Sequence, residues 1–311
     1  MTKRDLDIAI IGAGPGGLTA GLYAGRAALR AVCFEKQGIG GQIANTDRVE
    51  DYPGFERIGG YELAERMANH ARKFGLEIDF TEVLRISPPD AGHRITLELA
   101  DGRSLTAGAV IASPGGTPRK LGVPGEDRLQ NRGVSYCALC DGAFFRDQVI
   151  VVVGGGDQAV EEGAFLTKFA TVVHLVHRRE DFRASKVAQD HAFGNGKLQV
   201  HRSTVVTEIL GQDRVEGVRL RNLASDEETV LAAGAVFPLI GFRPNTGMLP
   251  PEVEKSEGGY VITDSWMRTN VPGIYAVGDV REQLCRQVTN AVGDGTTAAV
   301  AAEKYIDGLA G

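Results

Sequence analysis

Short apolar runs, each closed by glycine or a polar turn, alternate along this chain with longer stretches in which apolar residues recur every three or four positions. The run over residues 6–11 reads as a buried strand, and the change of period after it predicts a helix over about 15–29 and a strand over 31–35. A polar, glycine-rich stretch from Gln37 to Phe55 predicts a long loop before a helix from about Tyr61 to Phe74. Strands near 77–86, 93–99 and 105–112 look like an antiparallel insert. The strand–helix–strand pattern returns from Val149 to Val176, with later strands around 198–210 and 215–221. Such alternation predicts an α/β fold with mainly parallel sheets.

Two breaks interrupt the pattern, one over residues 113–118 (Ser-Pro-Gly-Gly-Thr-Pro) and one over 241–247 (Gly-Phe-Arg-Pro-Asn-Thr-Gly). The tail beyond the second break has about 65 residues, short for an independent domain. The economical arrangement folds that tail back onto the first domain. Residues 116–244 then form a domain inserted between 1–115 and 245–311. Glycines at both breaks could absorb the backbone changes of a hinge.

Composition narrows the function classes. With 43% hydrophobic and 24% charged residues over 311 positions, the chain is of ordinary globular make-up, enough for about two domains. The net charge of -6 argues against nucleic acid or an anionic membrane as partner. Apolar runs are too short for a membrane span, and the first strand starts so close to Met1 that no signal peptide is expected. A cytoplasmic protein is therefore expected. Four cysteines do not make a disulfide scaffold, so a close pair among them points to redox or metal chemistry.

The chemistry lies in a motif written twice. Gly12, Gly14 and Gly17 follow the first strand, and Gly154, Gly156 and Ala159 follow the strand from Val149. In such a turn the first glycine makes the bend, the second lets a pyrophosphate approach the backbone, and the third position lets helix and strand pack closely. The helix start then offers amides to the phosphates. Glu35 ends the strand after the first copy, where a carboxylate accepts ribose hydroxyls and repels a 2′-phosphate, so FAD or NAD is expected there. The matching position after the second copy is His177, followed by Arg178, Arg179 and Arg183. Exchanging an acid for a cationic cluster is what a 2′-phosphate requires, so NADPH is expected at this site.

Between the two copies lies the pair Cys137 and Cys140, followed by Asp141. Structural zinc would need a second ligand pair, and Cys33 and Cys285 are isolated. Plain buried thiols fit poorly with the polar, turn-like surroundings. A redox disulfide fits best, with Asp141 as proton donor or acceptor. Cys33 lies on an apolar strand and reads as packing.

At these residues the chain resembles the low-molecular-weight thioredoxin reductases of bacteria, nearly end to end. Residues 40–43 (Gly-Gly-Gln-Ile) with 49–54 resemble that family's flavin-covering loop, and 269–280 with Arg286 and Gln287 resemble its C-terminal flavin motif. The resemblance implies two Rossmann-like nucleotide-binding domains, the NADPH domain with the disulfide inserted into the FAD domain, in a homodimer. It implies FAD contacts at Gly41, Gln42, Asp279, Arg286 and Gln287. It also implies electron flow from NADPH through FAD and the Cys137–Cys140 disulfide to thioredoxin, with Cys140 facing the flavin, Cys137 attacking the partner and Asp141 carrying the proton. Leu139, Ser113, Glu282 and Cys285 depart from the family's usual residues. The same build could serve another donor or acceptor, or a redox-sensing flavoprotein without turnover.

Overall fold

The structure is a computed structural model that describes residues 4–46 and 48–309. The chain divides into two compact units, Met1–Thr117 with Arg243–Gly311, and Pro118–Phe242.

The first unit begins with β1 (Leu6–Ile11), α1 (Pro15–Arg26), β2 (Ala31–Phe34) and α2 (Gly60–Lys73). It continues through β3 (Glu77–Asp79), β4 (Val83–Ile86), β5 (Ile95–Leu99) and β6 (Ser104–Ala112). β1 runs parallel to β2 on one side and to β6 on the other, which is why its last four residues are all buried. Pro15 opens α1, where its fixed φ suits the first helical turn. The helix ends at Arg26 rather than near residue 29. Ala28 takes a left-handed φ of 57°, and the amides of Ala28 and Leu29 turn back to the carbonyls of Gly25 and Ala24.

The strand expected over 77–86 is two strands. Thr81 donates its hydroxyl to Asp79 at 2.7 Å, turning the chain and leaving Phe80 exposed. β3 pairs parallel with β2, whereas β4 lies at the far edge, antiparallel to β5. The antiparallel expectation therefore holds for β4, β5 and β6 and fails for β3.

The second unit is entered through β7 (Gly116–Pro118) and holds α3 (Ala138–Asp141), β8 (Val149–Val153), α4 (Asp157–Leu166), β9 (Val172–Val176) and α5 (Lys186–Phe193). Then come β10 (Leu198–His201), β11 (Thr204–Leu210), β12 (Gly217–Asn222), β13 (Glu228–Ala232) and β14 (Ala235–Pro238). A parallel sheet has the order β10-β9-β8-β14, and β11-β12-β13 form a separate antiparallel sheet. The expected strand over 198–210 is thus split between two sheets, at Ser203 with φ 47°. Ile150 and Val152 pack under α4 and α5, while Val151 and Val153 pack under Val206, Ile209, Val218 and Leu220 of the antiparallel sheet.

The chain leaves through β15 (Phe242–Pro244), which pairs with β7. The amide of Arg119 donates to the Gly241 carbonyl, and that of Asn245 to the Gly115 carbonyl, at 2.9 and 3.0 Å. Beyond it, β16 (Ile274–Ala276) joins the first unit's sheet beside Val110–Ala112 of β6, past the point where β5 ends. α6 (Val288–Gly308) then packs on α1. A Cβ on Gly295 would stand 2.2 Å from the Gly16 carbonyl oxygen, so only glycine permits this approach.

Candidate functional site

In the first unit the three motif glycines meet different demands. Gly12 has φ 99°, and a Cβ there would lie 2.3 Å from the Ser113 carbonyl oxygen. A Cβ on Gly17 would lie 1.9 Å from the Gly12 carbonyl oxygen. Gly14 has nothing within 4 Å of that position. The fold itself requires Gly12 and Gly17, whereas Gly14 keeps a face open at the start of α1, which has no side-chain cap. Gly40 donates its amide to the Ala13 carbonyl at 2.8 Å, and Gly41 is close enough that its Cβ would meet Gly14 Cα at 3.7 Å. The predicted covering loop is thereby laid against the glycine turn, and Gln42 Nε2 donates to the Gly116 carbonyl at 3.2 Å.

Glu35 is buried, and its two oxygens accept the amides of Ala13 and Gln37, both at 2.8 Å. The acid is thus fixed by the loop it serves, with a lone pair left on each oxygen. Two recesses of about 70 and 510 Å³ share Lys36, Glu82, Val83, Asn245 and Met248, and the smaller also contains Gly12 and Glu35.

The C-terminal motif supplies a second polar cluster. Burial pushes the Asp279 carboxyl upward, with Arg286 opposing that rise. Arg286 lies over the Tyr260 ring at 4.0 Å, and its Nε is the one buried side-chain polar atom without a partner among the described residues. Asp294 shapes the turn, accepting the Gly278 amide at 3.0 Å and pairing with Arg281 at 3.0 Å. Gln287 caps α6. An open glycine face, a buried carboxylate and an orphaned guanidinium donor are what a dinucleotide carrying a polar chain and carbonyl acceptors would satisfy. The residues present fit a flavin dinucleotide.

The second unit repeats the logic. A Cβ on Gly154 would lie 2.4 Å from the Leu239 carbonyl oxygen, Gly156 has open space, and Ala159 fills the third position with its methyl group. His177 departs from the expected cationic role. It is buried, its Nε2 bonds the Asp181 carbonyl at 3.0 Å, and its ring stacks on Phe182 at 4.6 Å. Burial lowers its pKa by more than the bond to Asp181 raises it, and Arg179, Arg178 and Arg183 lower it further, so the imidazole is neutral at neutral pH. His177 packs the turn; the positive charge belongs to Arg178, Arg179 and Arg183, all exposed. Arg202, which no sequence motif marks, bonds the Glu180 carbonyl and lies over Phe182 at 5.1 Å, bracing that turn from the end of β10.

Cys137 and Cys140 form a disulfide across α3, with 5.4 Å between Cα atoms. The Cys140 amide donates to Cys137 Sγ at 3.2 Å. Ser135 donates its hydroxyl to Asp141 at 2.6 Å and accepts the Cys137 amide at 3.1 Å, tying the predicted proton carrier to the first cysteine. From α4, Glu162 accepts the Ala138 amide at 3.3 Å. Ser135 carried a weak signal in its closeness to the pair; Glu162 carried none. Leu139 in the spacer is 51% exposed. Burial raises the pKa of Cys33, with Glu35 adding to the rise, so that thiol is inert packing. Among the described residues no three His, Cys, Asp or Glu side chains gather as a metal site would need.

Two strand–glycine turn–helix units and a Cys-x-x-Cys disulfide in the second define a dinucleotide-binding disulfide oxidoreductase. The chain belongs to the pyridine nucleotide-disulphide oxidoreductase family, whose sequence profile matches residues 6–295. It is 43% identical over 308 residues to the thioredoxin reductase of Bacillus subtilis, covering 99% of this chain and 96% of that one. It is 42% identical to the thioredoxin reductase of Listeria innocua at the same coverage. The solved thioredoxin reductase of Streptococcus pyogenes superposes with a TM-score of 0.92 at 45% identity, covering 97% of this chain and 98% of that chain. The chain is an oxidoreductase, and its family implies flavin and nicotinamide cofactors.

Proposed function

We propose that the chain is a thioredoxin reductase that moves electrons from NADPH through FAD and the Cys137–Cys140 disulfide to the disulfide of thioredoxin. The observation that carries this reading is the bridge itself, held between the Ser135–Asp141 pair on one side and Glu162 on the other. Its full-length relatives with this name support the acceptor. When bound, a flavin accepts a hydride from reduced nicotinamide and passes the electron pair to a disulfide.

Residues of the first unit hold that cofactor: Gly12, Gly14 and Gly17 seat its pyrophosphate, Glu35 its ribose, Gly41 and Gln42 cover it, and Asp279, Arg286 and Gln287 meet its polar chain and ring. Gly154, Gly156 and Ala159 seat the pyrophosphate of NADPH, and Arg178, Arg179 and Arg183 pair with its 2′-phosphate. Once the disulfide is opened, Cys137 is the attacking thiolate, stabilised by the Cys140 amide. It attacks one sulfur of the partner's disulfide, and the departing thiolate takes a proton from Asp141. Cys140, as thiolate, then attacks Cys137 Sγ, which reforms the bridge and releases the second partner sulfur. The same reading makes the enzyme a cytoplasmic homodimer. Among the described residues no helix is long and apolar enough to cross a membrane.

The test is turnover of the purified protein with NADPH against a panel of thioredoxins. Cys137→Ser and Cys140→Ser should each still bleach the flavin with NADPH yet reduce no thioredoxin. Thioredoxin reduction by either variant would remove the disulfide from the pathway.

A further inference from the structure

We infer that Glu162 is a positioning residue for the Cys137–Cys140 pair: its carboxylate fixes the peptide between Cys137 and Ala138, and its charge sets how readily Cys137 ionises once the disulfide opens. The inference rests on the reading that this disulfide opens in turnover. Glu162 stands on α4, the helix that begins at the second glycine turn, and both its oxygens are committed. Oε1 accepts from Gln158 Nε2, one turn earlier, at 3.0 Å, and Oε2 accepts the Ala138 amide at 3.3 Å. The peptide it holds is the one that joins Cys137 to Ala138, so the carboxylate is anchored to the backbone that carries the Cys137 sulfur.

Its surroundings leave the charge unbalanced. Burial raises the Glu162 carboxyl pKa by more than the hydrogen bonds from Gln158 and the Ala138 amide lower it, and Glu161 adds to the rise; no cation opposes it among the described residues. Asp141 of α3 is a second carboxylate at the pair, held by Ser135. On α5, Lys186 and Asp190 are exposed and pair with each other at 3.2 Å. His174 of β9 is bonded to His201 at 2.8 Å, and β8 contributes only valine and isoleucine.

Opening the bridge breaks the sulfur–sulfur bond as it accepts two electrons, from the reduced flavin in turnover or from dithiothreitol in a test. Each sulfur becomes a thiolate, and two protons from solvent then distribute over the site. A thiolate at Cys137 and a carboxylate at Glu162 repel, so the two groups titrate as a coupled pair. One proton moves onto Glu162 as charge remains on Cys137. The nucleophile is thereby present beside a neutral Glu162, with one negative charge fewer next to Cys137.

The test uses dithiothreitol-reduced holoenzyme, alkylated at Cys137 by iodoacetamide from pH 4 to 9 and read by mass spectrometry. Wild-type enzyme should show a two-step profile. Glu162→Gln keeps a carbonyl oxygen for the Ala138 amide and removes the charge. Its profile should collapse to one step with a midpoint about one pH unit lower, roughly a tenfold gain in thiolate below that midpoint. Glu162→Asp should restore the second step. A Glu162→Gln profile that superposes on wild type overturns the inference. A second measurement needs no variant: carbon-13 NMR of the Glu162 carboxyl should give a higher pKa in the reduced than in the oxidised enzyme, and equal values overturn the inference. Both readouts use a chemical reductant, so they stand or fall separately from NADPH-driven thioredoxin turnover.

Discussion

Gly14 and Gly17 lie one turn apart, yet one serves a ligand and the other serves the fold. Gly17→Ala would drive a Cβ into the Gly12 carbonyl. It should lower the melting temperature by several degrees, in line with an overpacking cost of about 1–3 kcal/mol. Gly14→Ala meets nothing in the protein and should melt close to flavin-free wild type while failing to retain flavin on gel filtration. Equal loss of stability in the two variants would contradict this division. At the second turn, Arg178→Ala with Arg179→Ala should raise the KM for NADPH more than tenfold and leave that for NADH nearly unchanged, since each charge-assisted contact to phosphate contributes about 1.5–3 kcal/mol. Steady-state kinetics with the two nucleotides checks this. The glycines, Glu35 and the arginines were legible because their chemistry follows from neighbours in sequence. Ser135 showed only its closeness to the cysteine pair, and Glu162, Asp294 and Arg202 gain their roles from groups on other elements. His177 was misleading for the same reason: position suggested a charge, and only packing against Phe182 shows a neutral ring.

At the scale of elements, the strands and helices that flank the glycine turns match the sequence pattern to within a few residues, because a buried parallel strand is a continuous apolar run. Two expected strands each proved to be two. The breaks at Asp79–Thr81 and at Ser203 are made by local turn geometry that leaves the apolar pattern intact, so hydrophobicity alone could not place them. Nor could it show that β16 would occupy the edge of β6 past the end of β5. The close crossing of α1 and α6 has a direct consequence. Gly295→Ala must push α6 off the Gly16 carbonyl. It should destabilise the first unit by about 1–3 kcal/mol without altering NADPH binding, which thermal melting and nucleotide titration on one sample would separate.

For the molecule as a whole, acidity should strike the two units unequally. The second unit buries His174, bonded to His201 at 2.8 Å, and burial together with His201 takes the His174 pKa down to about 4. Burial lowers that of His201 as well. A depressed histidine binds fewer protons folded than unfolded. For His174 the contribution to stability is therefore complete above the unfolded value of about 6.5 and is lost as pH falls from there toward 4, at up to about 1.4 kcal/mol per pH unit. Hydrogen exchange of β9 and β10 amides, corrected for intrinsic rates, should show protection falling over that window, and His174→Asn should flatten the fall. The hydrogen bonds from Arg119 to Gly241 and from Asn245 to Gly115 bear on a different kind of experiment. They bring the entry and exit of the second unit side by side, and likewise the two cut ends of the first. The inserted stretch is thus a cassette. Residues 118–242 expressed alone should fold and bind NADPH, and 1–117 spliced to 243–311 through a few glycines should still take up flavin, so that either half could be exchanged between enzymes by cutting at a single doorway.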